Sequence, residues 1–451
     1  MKKRLILDTL ALLVLALALW GCLCLTGCAQ TRGAPQDAAD AHDGVTTLRI
    51  ASVGMDWEID ELIARFNAQS EDIKVEKLDY SQNGTVSSEA ALSRLNTEIV
   101  SGKYPDMIAF RSLIDAGSSP YAYISKGLLA DMEGFMATDA DISPEKLAIY
   151  KPLKNMGGVF VLSDTFIYVS KAGDQAVFGE RYGWTLDEYL ALEAQLPVES
   201  AMIYNVTRES LLEMISARYL RVAVDWDNAA CDFDNADFIK ILELTKGMRE
   251  YVETAETVKY AFVDTIASGS FFTALIHART PRSLAEQEAQ EGVKISCIGT
   301  PTVDGSCGSD VAIMNPVGIL AQGAAPEKCW EFVKFMLMQA DIEKLPVYLP
   351  RLEEAFRTAI ENKVELPELP ADATQFQRHV AEVTHVNITE ADEARFMKLL
   401  GMVENIEIYD QNILGIIKKE SAPFFAGEKT AAEVASLVQS KVSLYLQEQK
   451  N

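Results

Sequence analysis

The chain has 451 residues, of which 49 % are hydrophobic and 24 % charged, so it carries enough apolar sequence for sizeable folded cores. Its 66 acidic and 41 basic residues give a formal net charge of −25. A surface this acidic argues against nucleic acid as a partner, because nucleic-acid binders carry basic patches. It also disfavours broad adhesion to anionic membranes and favours solubility outside the cell.

The first 27 residues have the pattern of an export signal. Basic residues at positions 2–4 precede an apolar run that ends in small residues, as secretory signals do. About 20 apolar residues would also span a bilayer, and the run from Thr9 to Thr26 nearly reaches that length. Length alone therefore leaves a signal peptide and a membrane helix open.

The stretch Leu25-Thr26-Gly27-Cys28 distinguishes these two interpretations. It resembles the lipobox of bacterial lipoprotein signals. The resemblance implies cleavage before Cys28, acyl chains such as palmitate on Cys28, and a lipid anchor at the extracellular face of the cell membrane. Cys22 and Cys24 lack the motif and would leave with the leader. Residues 29–46 are small, polar and aperiodic, which predicts a flexible tether with a reach of ~25 Å.

The sequence after the tether predicts alternating strands and helices. About 405 residues remain, and domains of about 100–200 residues make two lobes the expectation. The patterns predict strands at 47–52, 73–78 and 107–110. Asp56 would cap the first helix, and the second helix would end near Gly102. The predicted inner faces are Ile59, Leu62, Ile63 and Phe66 in the first helix, and Leu92, Leu95 and Ile99 in the second. This order predicts parallel strands with right-handed crossovers.

Seven segments in order along residues 47–446 carry a family resemblance. They are TLRIASVGMDWEIDELIARFNAQ (47–69), Gly102–Asp106, Gly157–Leu162, Gly183–Glu188, Ile298–Pro301 with Asp304–Gly305, Lys328–Phe335, and Phe425–Thr430 with the helix after it. Together they resemble the extracellular solute-binding proteins of ABC importers, the maltose-binding type (family 1). Ser163 departs from the family pattern, which has proline there.

The resemblance implies an α/β, two-lobed periplasmic-binding-protein fold (type II) with a hinge and a ligand cleft. We expect the N-terminal lobe at 47–162 plus 298–322 and the C-terminal lobe at 163–297 plus 323–451. Within the latter, residues 345–385 exceed what a minimal member needs, so we expect them to be a surface elaboration.

The expected ligand site lies beyond the carboxyl ends of the first three strands, where open α/β sheets bind ligands. A sugar needs flat aromatic faces and planar polar groups. The first lobe offers Trp57 and Tyr80 as faces, and Asp56, Asn83 and Arg111 as polar partners. The opposing lobe offers Asp164, Thr165 and Phe166. Trp57 could instead pack at its helix start, and Arg111 could serve an ion pair.

One segment departs from the family's ligand site. Gly269–Arg279 resembles a stretch that brings an aromatic residue to the cleft, but His277 and Arg279 occupy its end here and tryptophan is absent. A maltose-like stacking site is therefore not expected in its usual form. Trp184, Trp226 and Trp330 lie in motifs whose aromatic residues usually belong to the core.

No catalytic, cofactor or metal motif emerges from the sequence. The four histidines form no HExxH, and GxSxG, P-loop and GxGxxG patterns are absent. The acidic run Asp225–Asp234 lacks the spacing of a calcium loop. It resembles a connection of the same family in which Asp and Asn serve turns and helix caps, and this resemblance implies those roles here. Cys297 and Cys307 could form a short disulfide or remain buried thiols, and Cys231 and Cys329 are equally open.

These patterns predict a lipid-anchored, non-enzymatic and monomeric receptor. It would capture a small solute, for which we expect a mono- or oligosaccharide, and deliver it to ABC permease subunits by hinge closure. A sensor or adhesin that has lost transport, and a cell-surface hydrolase, remain alternatives. A peptide, polyamine or organic anion remains an alternative solute.

Overall fold

The computed structural model describes residues 44–54, 57–139, 141, 165–168, 172–174, 178–196, 201–203, 206–249, 271–274, 278–313, 315–323, 325–339, 348–403, 405–406 and 409–450. Contacts divide the chain into residues 1–38 and residues 39–451, and every described element lies in the second unit. No described helix combines the length and the apolar character that crossing a membrane requires.

Helices and short strands alternate along this unit. The strands are β1 (Thr46–Ser52), β2 (Ile73–Asp79), β3 (Met107–Ala109), β4 (Thr165–Tyr168), β5 (Ala172–Asp174), β6 (Ala201–Ile203), β7 (Val224–Asp225), β8 (Ala230–Cys231), β9 (Phe271–Ala274), β10 (Ile295–Ser296), β11 (Asp310–Ile313), β12 (Val317–Ile319) and β13 (Asn405–Ile406). The helices are α1 (Trp57–Gln69), α2 (Ser88–Val100), α3 (Phe110–Asp115), α4 (Pro120–Ser125), α5 (Glu133–Ala137), α6 (Leu186–Glu193), α7 (Arg208–Ala223), α8 (Ala236–Gly247), α9 (Pro281–Glu291), α10 (Pro326–Met338), α11 (Leu349–Glu361), α12 (Gln375–Thr384), α13 (Glu390–Met402), α14 (Gln411–Phe425) and α15 (Ala431–Lys450).

The three strands predicted first form one parallel sheet. β1 pairs in parallel with β2 along its whole length and with β3 through Ile50 and Ala51. β12 adds an antiparallel edge, so the order is β12-β3-β1-β2. The connecting helices α1 and α2 bury most of their predicted inner residues: Ile59, Ile63, Phe66, Leu95 and Ile99 are at most 9 % exposed, and Leu62 and Leu92 are partly buried. The predicted parallel pairing is confirmed.

A second sheet has three strands, and one of them, β11, is followed in the chain by β12 of the first sheet. β4 pairs antiparallel with β11, so that Thr165 lies opposite Ile313 and Phe166 opposite Ala312, while β13 flanks β11 on its other side. The chain then passes from Ile313 to Val317 and joins the first sheet. The backbone of Thr165 and Phe166 therefore lies beside a crossing between the two sheets.

A third sheet, with the order β10-β5-β9-β6, and the β7–β8 hairpin complete the strand pairing of the described residues. One hydrophobic cluster contains residues of β1–β3, α1, α2 and α10 together with residues of α9, α11, α13, β10 and β11, and another contains those of α6–α8, α14 and α15. The first cluster therefore includes elements that were expected in both lobes.

Two segments lie next to the lobe boundaries expected at 298 and 323, and they have different packing partners. The α10 helix packs on the first sheet, where the Phe66 ring lies 5.2 Å from that of Phe332 and 5.3 Å from that of Phe335. The segment before β11 instead joins the second cluster, because the Thr302 N–H donates to the Trp184 carbonyl oxygen over 3.0 Å. Packing thus places Val317–Met338 with the first cluster and Ile298 and Val303 with the second, while Cys307 belongs to the first.

Side-chain hydrogen bonds at helix starts and in a turn explain several of the sequence motifs. Thr185 caps α6 with a reciprocal capping box to Glu188, and Asn235 caps α8 at the end of the acidic run. Within that run, Asp225 accepts from the Asn228 N–H at 3.1 Å in the β7–β8 turn. These contacts confirm that the acidic run serves turns and caps. Gly157–Leu162 lies outside the described residues.

The four cysteines of the folded body are free thiols, and Cys297, Cys307 and Cys329 are buried. Burial raises the pKa of Cys297 to about 12, which makes this thiol unreactive at neutral pH. Of the two possibilities that the sequence left open for Cys297 and Cys307, the structure contains the buried thiols.

The predicted surface elaboration contains α11, α12 and the exposed segment between them. Arg282 of α9 fastens it to the body by donating to the carbonyl oxygens of Ala359 (2.7 Å), Asn362 (3.2 Å) and Val386 (2.9 Å). A single guanidinium thus satisfies three carbonyl groups, two at the end of α11 and one after α12.

Candidate functional site

The carboxyl ends of β1 and β3 meet at one edge of the first sheet. The Val53 N–H donates to Ser112 Oγ over 3.2 Å, and a Cβ added to Gly54 would lie 3.0 Å from that of Ser112. Glycine therefore lets the loop after β1 approach the first turn of α3 closely. The Phe110 N–H donates to the Pro316 carbonyl oxygen over 2.8 Å, which ties this edge to the crossing before β12.

The loop after β2 is held by the carboxylate of Asp79. Its Oδ1 accepts from the N–H (2.9 Å) and the hydroxyl (2.6 Å) of Ser81, and its Oδ2 accepts from the Asn83 N–H (2.6 Å). Burial acts to raise the pKa of Asp79, but the hydrogen bonds from Ser81 and Asn83 outweigh it and hold the pKa below its usual value. The loop therefore depends on an ionised carboxylate.

The same loop has three successive residues in the left-handed region. Gln82, Asn83 and Gly84 have φ values of 52°, 56° and 78°. Only glycine adopts this region freely, and other residues occupy it at a cost of about 1–3 kcal/mol unless the surroundings enforce it. The Asp79 hydrogen bonds supply that enforcement, and the Asn83 side chain is presented exposed to solvent.

Replacing Asp79 with alanine should release this loop. We expect a loss of about 1–2 kcal/mol in the free energy of unfolding, because hydrogen bonds to a charged acceptor are lost, and weaker ligand binding at this edge. Since the pKa is lower in the folded state, the stabilisation is complete above the ordinary pKa and disappears as the pH falls through the folded value. Urea unfolding at pH 7 checks the first effect. Asp115→Ala, which removes an exposed ion pair, is the matched control and should cost no more than about 0.5 kcal/mol.

Tyr80 lies at the predicted edge, but its ring is buried. It is 6 % exposed, its hydroxyl donates to Glu98 Oε2 over 2.7 Å, and the Arg94 guanidinium carbon lies 5.6 Å from the ring centroid. Burial and the neighbouring Glu98 raise the pKa of Tyr80 above its usual value. In this conformation Tyr80 supports the loop from within and offers almost no face on which a sugar could stack.

Arg111 lies at the start of α3, at the same edge, and its side chain is exposed. Its Nη2 is 2.9 Å from Asp115 Oδ1, and its Nε donates to Asp115 Oδ2 over 3.1 Å. This is the ion pair that the sequence analysis left as the alternative to ligand contact. An exposed pair of this kind contributes little stability, so it leaves Arg111 able to exchange partners.

The remaining predicted ligand residues are only partly described. Thr165 and Phe166 lie on β4 at the crossing, and Trp57 is the first residue of α1, although the side chains of all three lie outside the described part. Arg279 is exposed and precedes the Thr280 cap of α9. Asp56, Asp164 and His277 lie outside the described residues.

Two pockets lie away from this edge. The first is lined by residues that include Tyr219, Arg221 and Asp304, and the second lies between α7 and α14. Neither is lined by a residue that the sequence analysis proposed for ligand binding. Within the described part of the chain, no three His, Cys, Asp or Glu side chains are grouped to hold a metal ion.

One of the three tryptophans that the sequence analysis assigned to the core makes a contact that the sequence did not predict. Trp184 is fully buried and Trp330 nearly so, as expected for core residues. Trp226 is only partly buried, and its ring stacks on that of Tyr121 with centroids 5.1 Å apart and planes at 7°. Nothing in the local sequence of either residue indicates this pairing.

Neither a protein-family model nor a curated protein matches the chain. Solved structures do. The sugar-binding protein MalE from Xanthomonas citri is similar with a TM-score of 0.53 at 13 % identity, covering 89 % of this chain and 98 % of that one. A periplasmic oligogalacturonide binding protein from Yersinia enterocolitica has the same TM-score at 13 % identity, covering 90 % of this chain and 100 % of that one. The chain therefore has the two-lobed α/β fold of the periplasmic solute-binding proteins.

Proposed function

We propose that this protein is an extracellular solute-binding protein that captures a carbohydrate without chemically changing it and delivers it to an ABC permease. The observation that carries the proposal is the edge where the loops after β1, β2 and β3 converge beside the β4–β11 crossing. In open α/β sheets this is the position of the ligand site. Sugar binding by two proteins of the same fold supports a carbohydrate as the solute.

The chemistry of the edge suits a polyhydroxylated ligand. Asn83 offers an exposed amide that both donates and accepts, and Arg111 offers a guanidinium whose present partner is an exposed aspartate. Both groups pair well with vicinal hydroxyls, and Arg111 would also suit an acidic sugar. Trp57, at the head of α1, is the proposed stacking face now that Tyr80 is buried. Asp56, Asp164, Thr165, Phe166, His277 and Arg279 remain proposed contacts.

The mechanism we propose is closure of the two lobes on the ligand. A ligand that touches both lobes stabilises the closed conformation by the difference between its affinities for the two conformations. Closure then forms the surface that permease subunits recognise. Acyl chains on Cys28 would keep the receptor at the membrane, and residues 29–46 would let the folded body reach the permease. We propose that it acts as a monomer.

Thermal unfolding of residues 29–451, which include the whole second unit, tests the proposal. The panel consists of neutral and acidic mono- and oligosaccharides, amino acids, polyamines and short peptides. A ligand at about 100 times its dissociation constant should stabilise the folded state by ~2.7 kcal/mol. We expect the midpoint to rise with one class of sugar. A rise only with a peptide or polyamine would replace the proposed solute, and no rise with any of them would favour the sensor or hydrolase.

A further inference from the structure

Asn83 and Gly84 form the one asparagine–glycine pair of the chain. Both residues are exposed, and both lie in the loop after β2, at the edge proposed to bind the ligand. Asparagine deamidates spontaneously most readily when glycine follows it, because glycine has no Cβ to hinder the attack of its backbone nitrogen on the asparagine side chain. The loop therefore presents a candidate site of covalent modification.

The chemistry of this modification needs only water. The Gly84 amide nitrogen gives up its proton and bonds to Cγ of Asn83, while the Cγ–N bond of the side chain breaks and the amino group takes up a proton and leaves as ammonia. Water then adds to one of the two carbonyl groups of the five-membered imide and breaks its bond to the ring nitrogen. The product is aspartate, or isoaspartate with one additional backbone carbon, and either carries a negative charge where the amide was neutral.

The backbone of the folded loop opposes ring closure. The ring forms only when the Gly84 nitrogen lies on the same side of the Cα–C bond of Asn83 as its Cβ. Asn83 has a φ of 56°, and in the left-handed region ψ is about +47°, which turns the next nitrogen to the side opposite Cβ. Asn83 must therefore leave the left-handed conformation before it can react.

Hydrogen bonds to one carboxylate restrain both reacting residues. Asp79 Oδ2 accepts from the Asn83 N–H over 2.6 Å. The Gly84 N–H donates to Ser81 Oγ over 3.3 Å, and that hydroxyl donates to Asp79 Oδ1 over 2.6 Å. Asp79 thus holds Asn83 directly and holds the attacking nitrogen of Gly84 through Ser81, which is 2 % exposed.

We propose that Asn83 is a site of spontaneous deamidation whose rate is set by Asp79, and that the modified protein binds its ligand more weakly. The reaction proceeds through brief local openings of the loop, so a change that loosens the loop raises the rate. The new carboxylate only accepts hydrogen bonds, whereas the amide both donates and accepts. The loss of affinity rests on the proposed function, but the modification itself does not.

Peptide mapping by mass spectrometry, with enzymatic methylation to detect isoaspartate, tests the modification in residues 29–451 incubated at mildly alkaline pH. Asn362 is exposed and followed by lysine, so it is the internal control in every digest. We expect aspartate and isoaspartate to accumulate faster at position 83 than at 362. Asp79→Ala should raise the rate at position 83 by about 5- to 30-fold, in line with its expected loss of stability, and Ser81→Ala should raise it as well.

Arg218→Ala separates opening of the loop from unfolding of the whole protein. Arg218 forms a buried ion pair with Asp310, so its loss destabilises the fold without removing a contact of the loop. The rate at position 83 should stay at the wild-type value. A rate in Asp79→Ala and Ser81→Ala equal to that of the wild type, or a rate in Arg218→Ala as high as in Asp79→Ala, overturns the role of Asp79. No excess at position 83 over 362 in Asp79→Ala overturns the site.

Calorimetric titration with the sugar that stabilises the protein tests the effect on binding. Asn83→Asp, which has the side chain of one product, should bind this sugar about 2- to 10-fold more weakly, the range for one lost hydrogen bond. Asn362→Asp adds the same charge elsewhere and should bind as the wild type does. Unchanged affinity in Asn83→Asp overturns the loss of affinity. If no sugar binds while position 83 is still modified, the modification stands and the proposed function fails.

Discussion

Replacing Arg218 with alanine should cost about 3–5 kcal/mol of the free energy of unfolding, because it leaves a buried carboxylate without its counter-charge. Arg218 and Asp310 are 8 % and 3 % exposed and form a direct ion pair. Arg218 also donates through Nε to the Gly308 carbonyl oxygen (2.7 Å) and through Nη1 to that of Met214 (2.8 Å). Burial acts to raise the pKa of Asp310, and the charge of Arg218 opposes that rise.

The position of this pair extends its effect to the site. Asp310 is the first residue of β11, the strand that pairs with β4 and leads to the crossing, so the guanidinium fastens α7 to the crossing sheet. We therefore expect Arg218→Ala to weaken ligand binding as well as folding.

Urea unfolding of matched variants tests the prediction. Arg221→Ala removes an exposed charge from the same helix and should change stability by no more than about 0.5 kcal/mol. The double variant Arg218→Met/Asp310→Leu removes both charges and should recover most of the loss, since a buried pair adds little over well-packed apolar residues. A loss below about 1 kcal/mol in Arg218→Ala would show that the carboxylate finds another partner.

The first lobe was predictable because its signals are local. The alternation of β1 and the helical periodicity of α1 and α2 arise from burying one face of each element, and strand–helix–strand order at these lengths dictates parallel pairing. The observed bounds Thr46–Ser52 and Ile73–Asp79 lie within one residue of those predicted.

The packing of residues 298–308 was less predictable because it depends on close approaches of the backbone. A Cβ on Gly308 would lie 1.8 Å from the Thr300 carbonyl oxygen, and one on Gly183 would lie 2.4 Å from that of Ser306. The first contact lies within residues 298–308 and the second joins this segment to Gly183, and a glycine in a sequence does not say which backbone it meets.

The candidate site was predicted at the level of loops and less well at the level of side chains. Strand order identified the loops, but whether Tyr80 faces a ligand or the core depends on Glu98 and Arg94, which lie one and a half turns or more along α2. The Tyr121–Trp226 stack joins residues 105 positions apart in sequence. Such long-range pairings follow from the packing of whole elements, which a single sequence does not encode in any local pattern.

Replacing Cys28 with alanine should abolish acylation and leave the leader attached. The lipobox resemblance makes the Cys28 sulfur the site of the first acyl chain and the Cys28 amino group, freed by cleavage, the site of another. One chain gives only reversible membrane binding, whereas two give stable anchoring. We therefore expect labelling of the intact protein with an alkynyl fatty acid to fall from full to background in Cys28→Ala, and mass analysis to find residues 1–27 still present.

Cys22→Ala and Cys24→Ala are the matched controls, because both residues should leave with the leader and neither change should affect the label. An unlabelled wild-type chain that retains residues 1–27 would instead identify the apolar run from Thr9 to Thr26 as a membrane helix. That outcome would leave the fold and the cleft unchanged and would assign the anchoring of the receptor to protein instead of lipid.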